Sequence, residues 1–576
     1  MIMRGETTMK TKRIKRFGTG ILVCIFVLGL VACGSPSSNT GTPDRTKAPS
    51  GDAGKKPAGS GDPLNIMVEV EVSSLDPQVA TDGTSFEVIA DFTDGLMQMD
   101  PDGKAVNAIA ESHEVSEDGL TYTFHLRKDA KWSNGDPVTA DDFVFGWQRA
   151  VDPDTTSEYS YMLSDIGQVK NAADIIAGKK PVTDLGITAV DENTLKVELN
   201  VPVSYFLSLM YFPTFYPVNR SFYEGLKKDT FGTSPETILS NGAFKPDSYE
   251  PAALSFDLVK NPDYYDADKI SLSGLSYQVI KDSQQAFMSY QNGDLDIVKL
   301  SGDQVDQVKD DPELNVEGAG YMWYLTMNSH EIPALNNVNM RLALTNAIDR
   351  ASIVEDVVKD GSVATYTAVP PQFATGPDGS DFSADQDKFH DVCADDPDKA
   401  VEFYEKAKQE LGQDSFHFEL LLEDQTETQN VAAVLKEQIE SALPGVTIDL
   451  KVEPKKQRVE DVQNGRYEVC LTRWGPDYAD PMTYLSMWVT DNLNNYGFWS
   501  NAGYDAIIAD CTTGAHINDP EARWNAMYDA EKIVMDEAVI APVYTKADAN
   551  MIKSGVSGID FHPVALNRVF KNAKKN

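Results

Sequence analysis

A mixed α/β fold built in more than one lobe is predicted for this chain by three observations. About 510 residues follow the first 62, more than a single hydrophobic core holds. Short alternating runs that read as strands interleave with longer amphipathic runs that read as helices, the rhythm of α/β lobes. Turn signals rich in Asn, Gly and Pro separate these runs, and no stretch repeats another. A ligand is expected between lobes of this kind.

The N-terminal segment reads as an address. MIMRGETTMKTKRIKRFGTG is basic, ILVCIFVLGLVA is an apolar run too short to span a bilayer comfortably, and a cysteine follows at once. That order is the order of a secretory signal, taken here as residues 1–32. Leu30-Val31-Ala32-Cys33-Gly34 resembles a bacterial lipobox, in which the thiol of Cys33 takes the lipid. The mature chain is then expected outside the cytoplasm, lipid-anchored to the outer face of the bacterial cytoplasmic membrane. Residues 33–62, rich in Gly, Ser, Pro and Ala, predict a flexible tether with no core. Gly54-Lys55-Lys56 within it lacks the strand and helix that a phosphate loop requires.

In the body, TYTFHLR (121–127) alternates as a strand does. KWSNGDPVTADDFVFGWQRA places an Asn-Gly turn before a helix capped by Thr139 and led by Asp141 and Asp142, and LKVELN (195–200) is another strand. Later, AVEFYEKAKQELG and VAAVLKEQIESALPG read as helices, each followed by a strand, FHFELLL and TIDLKVE. Asp100-Pro101-Asp102-Gly103 reads as a β-turn, because Lys104 stands where a calcium loop needs its third carboxylate.

Charge excludes some partners. The chain carries a net charge of -39, and the first 62 residues hold 10 Lys and Arg against 4 Asp and Glu, which leaves the rest at -45. Such a surface repels nucleic acid and anionic lipid and draws in cations. Of the 5 cysteines, Cys24 belongs to the signal and Cys33 to the lipid site. Cys393, Cys470 and Cys511 are scattered, with neither a disulfide framework nor zinc spacing.

The densest chemistry lies in RWGPDYADP, residues 473–481, where Asp477 and Asp480 sit three apart with Arg473 as the nearby cation. Residue types alone allow a metal loop, a catalytic carboxylate pair, a plain turn, or an anchor for a positive ligand. No HExxH or GxSxG motif accompanies the pair, and the 7 histidines are scattered. An enzyme is therefore not expected, a surface hydrolase using Asp477 and Asp480 being the remote alternative.

Order and spacing of several motifs give the chain a family resemblance. SLDP (74–77), FTDGL (92–96), the run AESHEVSEDGLTYTFHLRKDAKWSNGDPVTADDFVFGWQR (110–149), SNGAFK (240–245), KNPDYYD (260–266), YQNGDLDI (290–297), MRLALTNAIDR (340–350), WGPDYADP and APVY (541–544) occur in this order. Together they resemble the oligopeptide-binding lipoproteins of ABC importers, solute-binding family 5. The resemblance implies a three-lobed periplasmic-binding-protein-like α/β fold of class II with the ligand in a hinged cleft. Lobe I would comprise 63–93, 219–320 and 542–576, lobe II 94–218, and lobe III 321–541.

It further implies that Asp477 pairs with the α-amino group of a bound peptide. The peptide backbone would pair in β fashion with Arg473, Trp474 and Gly475 on one side and with the loop Ala80–Ser85, including Thr81, Asp82 and Gly83, on the other. Trp474, Trp323 and Tyr159 match aromatic wall positions of the cleft. Asp480, before Pro481, is expected to accept turn amides. The partners implied are an oligopeptide and the permease and ATPase of a peptide importer, with the receptor a monomer and no cofactor, metal or catalytic residue. A nickel chelate, an oligosaccharide or a signalling peptide is the alternative ligand on the same fold.

Departures from the family pattern bear on the far end of the ligand. A disulfide found in one member falls on Tyr321 and Gly475, a lysine on Glu331, an arginine on Leu471, and a cleft tryptophan near Lys455. The peptide's C-terminus is therefore expected to be held differently, with Arg473 or Lys455 as replacement cations.

Overall fold

The computed structural model describes residues 61–576 apart from Lys228 and Asn518. The signal segment, Cys33 and the tether up to residue 60 lie outside the described residues.

Strand β1 (Leu64–Val68) begins where the polar tether composition gives way to LNIMV. Helix α1 (Gly83–Phe92) follows, capped by Asp82, whose carboxylate accepts the Ser85 amide at 2.9 Å. Strands β2 (Ala110–Val115), β3 (Thr121–Leu126), β4 (Ile187–Asp191) and β5 (Thr194–Glu198) form an antiparallel sheet in the order β2-β3-β5-β4. Along β3, Tyr122, Phe124 and Leu126 are buried and the residues between them less so, as period two demands. Helix α2 (Ala140–Val151) starts at Thr139, whose amide donates to Asp142 at 2.8 Å.

A second, larger sheet contains β6 (Phe244–Ser248), β7 (Ser255–Lys260), β8 (Gly274–Val279), β9 (Ile297–Lys299) and the long β10 (Leu314–Met327). Helix α3 (Pro397–Leu411) precedes β11 (Phe416–Glu423), and α4 (Thr426–Ala442) precedes β12 (Val446–Glu453). Helix α5 (Lys455–Gln463), β13 (Val469–Trp474), α6 (Pro520–Asp536) and β14 (Ile540–Ile552) complete it. Strand order is β12-β11-β13-β10-β14-β9-β1-β8-β7-β6, with Val363–Ala364 added against β14.

Two parallel groups, β11 with β12 and β13, and β1 with β8 and β9, are joined through the long antiparallel pair β10 and β14. In that pair the register slips between Gly318 and Met322, so that Ala319, Gly320 and Tyr321 face a single residue of β14. Gly320 takes φ 72° there, and a Cβ on it would lie 1.9 Å from the Pro563 carbonyl oxygen, so only glycine fits the bulge.

Several sequence motifs meet in space. Arg149, at the end of α2, donates at 2.6 Å to Asp76 of SLDP. Asp94 of FTDGL accepts the hydroxyls of Tyr264 and Tyr265 at 2.9 and 2.7 Å, and its amide donates to Asn241 of SNGAF at 2.8 Å. Arg350, fully buried, donates to the Pro542 carbonyl of APVY at 2.7 Å and to Asp395 at 2.7 Å. Asp100 closes a turn by accepting the amides of Gly103, Asp102 and Lys104. Cys393, Cys470 and Cys511 are buried and free.

Candidate functional site

Asp477 occupies the loop that leaves the C-terminal end of β13. Its carboxylate accepts one hydrogen bond, from the Tyr161 hydroxyl at 3.0 Å, and forms no ion pair with any described residue. Burial pushes its carboxyl up to about 7, with the Tyr161 hydrogen bond opposing the rise. Aromatic rings crowd this point. Tyr159 and Tyr161 lie 5.5 Å apart, and Tyr159 stacks on Phe212 at 5.6 Å and meets Phe86 of α1 edge-on at 5.1 Å. Desolvation first, and then the neighbouring Asp477 carboxylate, hold both tyrosines protonated.

The loop is fixed by its other residues. Tyr478 is buried and stacks on Tyr205 at 4.7 Å. Asp480 accepts the Met482 amide at 3.0 Å, the turn role its position before Pro481 implies, and also takes both guanidinium nitrogens of Arg523 from α6 at 2.7 and 2.9 Å. The two aspartates therefore have separate partners, and Asp480 is not available to act with Asp477 as an acid/base pair.

Gly475 lies across from Tyr321, continuing the β10–β13 register in which Met322 faces Trp474. A Cβ on Gly475 would sit 2.5 Å from the Tyr321 ring, and one on Gly83 would sit 3.4 Å from its hydroxyl. Tyr321 thus projects from the bulge into the space between the Asp477 loop and the start of α1. Gly475→Ala is expected to drive that ring aside at a cost of about 1–3 kcal/mol in stability, read as a lowered denaturation midpoint. Gly475→Ala combined with Tyr321→Leu should recover most of the loss.

The remaining expected residues are distributed as follows. Arg473 donates to Glu423 at 2.9 Å and lies 4.8 Å above the Trp323 ring, so its charge is turned toward Glu423 rather than Asp477. Trp323 is only 4 % exposed and stacks on Tyr544 at 5.8 Å, which makes it the floor beneath Arg473. Trp474 is partly exposed, and its indole nitrogen is buried with no hydrogen-bond partner. One expectation needs correction: the loop Ala80–Ser85 is not extended throughout. Gly83 is the first residue of α1 and Asp82 is its cap, with its carboxylate also taken by the hydroxyls of Ser73 and Ser85, so extended backbone ends at Asp82. Thr81 precedes the cap and is exposed. On the other side, β13 pairs with β11 only through Val469 and Cys470, which leaves Leu471–Trp474 with one edge free of that strand.

Sequence reasoning missed Tyr161, Glu423 and Arg523. Tyr161 lies two residues after Tyr159 in EYSY, a signal that was present, whereas Glu423 and Arg523 are 50 and 43 residues from their partners, with nothing local to connect them.

Comparison with known proteins accords with this geometry. The model of the bacterial extracellular solute-binding proteins, family 5 Middle, matches residues 104–496. The chain is 32% identical over 577 residues to a dipeptide-binding protein of Lactococcus lactis subsp. cremoris, covering 98% of this chain and 99% of that one. Among solved structures, the substrate-binding domain of an oligopeptide ABC transporter from Bacillus anthracis matches with TM-score 0.79 and 34% identity, over 91% of this chain and 100% of that one. Listeria monocytogenes OppA bound to peptide matches with TM-score 0.77 and 32% identity, over 89% and 99%. The fold is the lobed class II binding-protein fold, and the chain belongs to the bacterial extracellular solute-binding proteins of family 5.

Proposed function

We propose that this protein is the peptide receptor of an ABC importer. Anchored through Cys33 to the outer face of the cytoplasmic membrane, it captures oligopeptides as a monomer and hands them to a permease and its ATPase. The lobes are those drawn from the sequence, 63–93 with 219–320 and 542–576, then 94–218, then 321–541. Closure turns on the β10–β14 crossing and its bulge at Ala319–Tyr321.

The observation that carries this reading is Asp477: a desolvated carboxylate among aromatic rings, with a tyrosine hydroxyl as its hydrogen-bond donor and no cation paired with it among the described residues. An enclosed charge of this kind calls for a mobile cation. Every unblocked peptide brings one in its α-amino group, whatever its sequence. Two unit charges 4 Å apart attract by about 4 kcal/mol at an effective dielectric of about 20. The free edge of β13 offers backbone groups to an extended ligand, which recognises peptide rather than side chain. A sugar supplies no amine, and a reaction has no second carboxylate to use, because Arg523 occupies Asp480.

Mass spectrometry of small molecules released by denaturing the purified protein tests this directly. A ladder of short peptides of mixed sequence is expected; a single sugar or metal chelate would overturn the reading.

Affinity should also depend on pH in a determined direction. Asp477 must be ionised to hold an amine, so binding strengthens as pH rises through about 7. It weakens again above the α-amino pKa of about 8. For the ligand-free protein the sign reverses: the folded state keeps a proton on Asp477 that the unfolded chain releases near pH 4, so this group's contribution to stability falls as pH climbs from about 4 through about 7. Titration calorimetry at a series of pH values and thermal melts of the ligand-free protein check the two halves.

A further inference from the structure

We propose that the C-terminal hairpin, residues 560–569, is a positioning element of the binding site: the amide of Ala565 at its tip holds the carbonyl of Pro476, and with it the direction in which Asp477 presents its carboxylate. The inference rests on the amine anchor above and concerns residues that act through the Asp477 loop rather than on the ligand.

A side chain's direction follows from the peptide planes that flank its Cα. The plane preceding Asp477 carries the Pro476 carbonyl and the Asp477 amide, and both are engaged. The carbonyl accepts the Ala565 amide at 3.1 Å. The Asp477 amide donates to the Thr483 hydroxyl oxygen at 3.3 Å. One clamp on this plane is therefore local, and the other comes from the far end of the chain.

The turn that supplies the distant clamp is unusual. The Leu566 amide donates to the Val564 carbonyl at 2.7 Å, which closes a three-residue turn around Ala565 at φ 60°. An alanine rarely adopts this left-handed region, where glycine is the default residue. Val564 and Leu566 on either side are buried and pin the turn in place. Unfavourable backbone of this kind persists only where the surrounding structure over-determines it, and it concentrates at ligand clamps and switch regions.

What over-determines it here is the rest of the site. Asp560–Phe561 pairs with Arg568–Val569, and the His562 amide donates to the Asn567 carbonyl at 3.0 Å. The Asn567 side chain donates to the Ala319 carbonyl of the β10 bulge at 3.1 Å, and the Pro563 carbonyl lies against Gly320 of the same bulge. Arg568 donates two nitrogens to Glu87 of α1 at 3.2 and 2.9 Å. One short hairpin thus touches the Asp477 loop, the bulge from which Tyr321 projects, and the helix whose start faces Tyr321. Under the lobe assignment above, the hairpin and α1 belong to lobe I and the Asp477 loop to lobe III, so the clasp joins the two sides of the cleft. A hairpin that served the core alone would need only its buried apolar residues; the strained amide given to Pro476 is the part such a role leaves without purpose.

The test measures the free-amine preference, the ratio of the affinities for tetra-alanine and N-acetyl-tetra-alanine, by calorimetry. Proline at position 565 can neither donate nor take a positive φ. Ala565→Pro should therefore shrink the preference about tenfold or more, the effect of one charge-assisted hydrogen bond, while the acetylated peptide keeps its wild-type affinity. Ala565→Gly keeps the amide, relieves the unfavourable φ, and should retain the full preference. Asn567→Ala frees the hairpin from Ala319 without touching Pro476 and should shrink the preference severalfold, which decides the matter if the proline variant does not fold. A preference unchanged in the variants that fold, or free and acetylated peptides weakened alike, would overturn the inference and leave the amine anchor standing. Absence of any preference in the wild type would overturn the amine anchor, and this inference with it.

Discussion

Asp477→Asn is expected to weaken peptide binding by about 2–5 kcal/mol, the range for truncating one partner of a buried charge pair. The asparagine preserves shape and can still accept the Tyr161 hydroxyl, so the loop should keep its conformation and the loss should be confined to the missing charge. N-acetylated peptide bound to the wild-type protein removes the same interaction from the other side and should lose a similar amount. The combination of mutant and acetylated peptide then separates pairing from repacking. If Asp477 meets the amine, the two losses are not additive, and the double change costs little more than either alone. Full additivity, or an acetylated peptide bound as tightly as the free one, would show that the amine is held elsewhere. Asp477→Asn should not move the denaturation midpoint of the ligand-free protein downward, because a carboxyl raised to about 7 by burial gains nothing from carrying charge in the absence of a cation.

How much of this was legible in the sequence depended on the range of each interaction. Strands and helices with local signatures appeared where their patterns placed them: the alternation of Thr121–Leu126, the Thr139 cap, and the α3 and α4 runs with the strands that follow them. Family motifs were legible as a set, and the structure gives a physical reason for several of them: Asp76 with Arg149, Asp94 with Tyr264 and Tyr265, and Arg350 with Pro542 are long-range clasps between motifs distant in sequence. The loop Ala80–Ser85 was assigned to ligand pairing from the resemblance, whereas Asp82 followed directly by Gly-Thr-Ser is a helix entry by its own chemistry. The surroundings of Arg473 were only half legible. Arg473 could be named as a candidate cation, but its ion pair with Glu423 joins two neighbouring parallel strands 50 residues apart in sequence, which no local pattern encodes. Asp480 illustrates the same limit: its turn role follows from the adjacent proline, and its ion pair with Arg523 from the packing of α6.

That ion pair supports the second large effect. Arg523→Met should destabilise the protein by about 3–5 kcal/mol, since it leaves the Asp480 carboxylate buried with the Met482 amide as its remaining partner. Arg523 also donates its Nε to the Cys511 carbonyl at 3.0 Å, so its removal strips a second buried acceptor. Asp480→Asn alone should cost less, because an amide oxygen still accepts from Arg523 and no bare anion is produced. Replacing both partners with apolar residues should recover a large part of the single-mutant loss, since much of that loss is the penalty of an unpaired charge rather than the worth of the pair. Denaturant midpoints of the two single variants and the double variant measure these terms. The pair also bears on binding. Asp477 is three residues from Asp480 on one loop, held at one point by Arg523 and at another by the stacking of Tyr478 on Tyr205. A binding carboxylate must be held to within a fraction of an ångström to repay its desolvation, so Arg523→Met should weaken peptide affinity even under conditions where the variant remains folded. A destabilised but fully folded variant with unchanged affinity would show instead that Tyr478 and Tyr161 suffice to position Asp477.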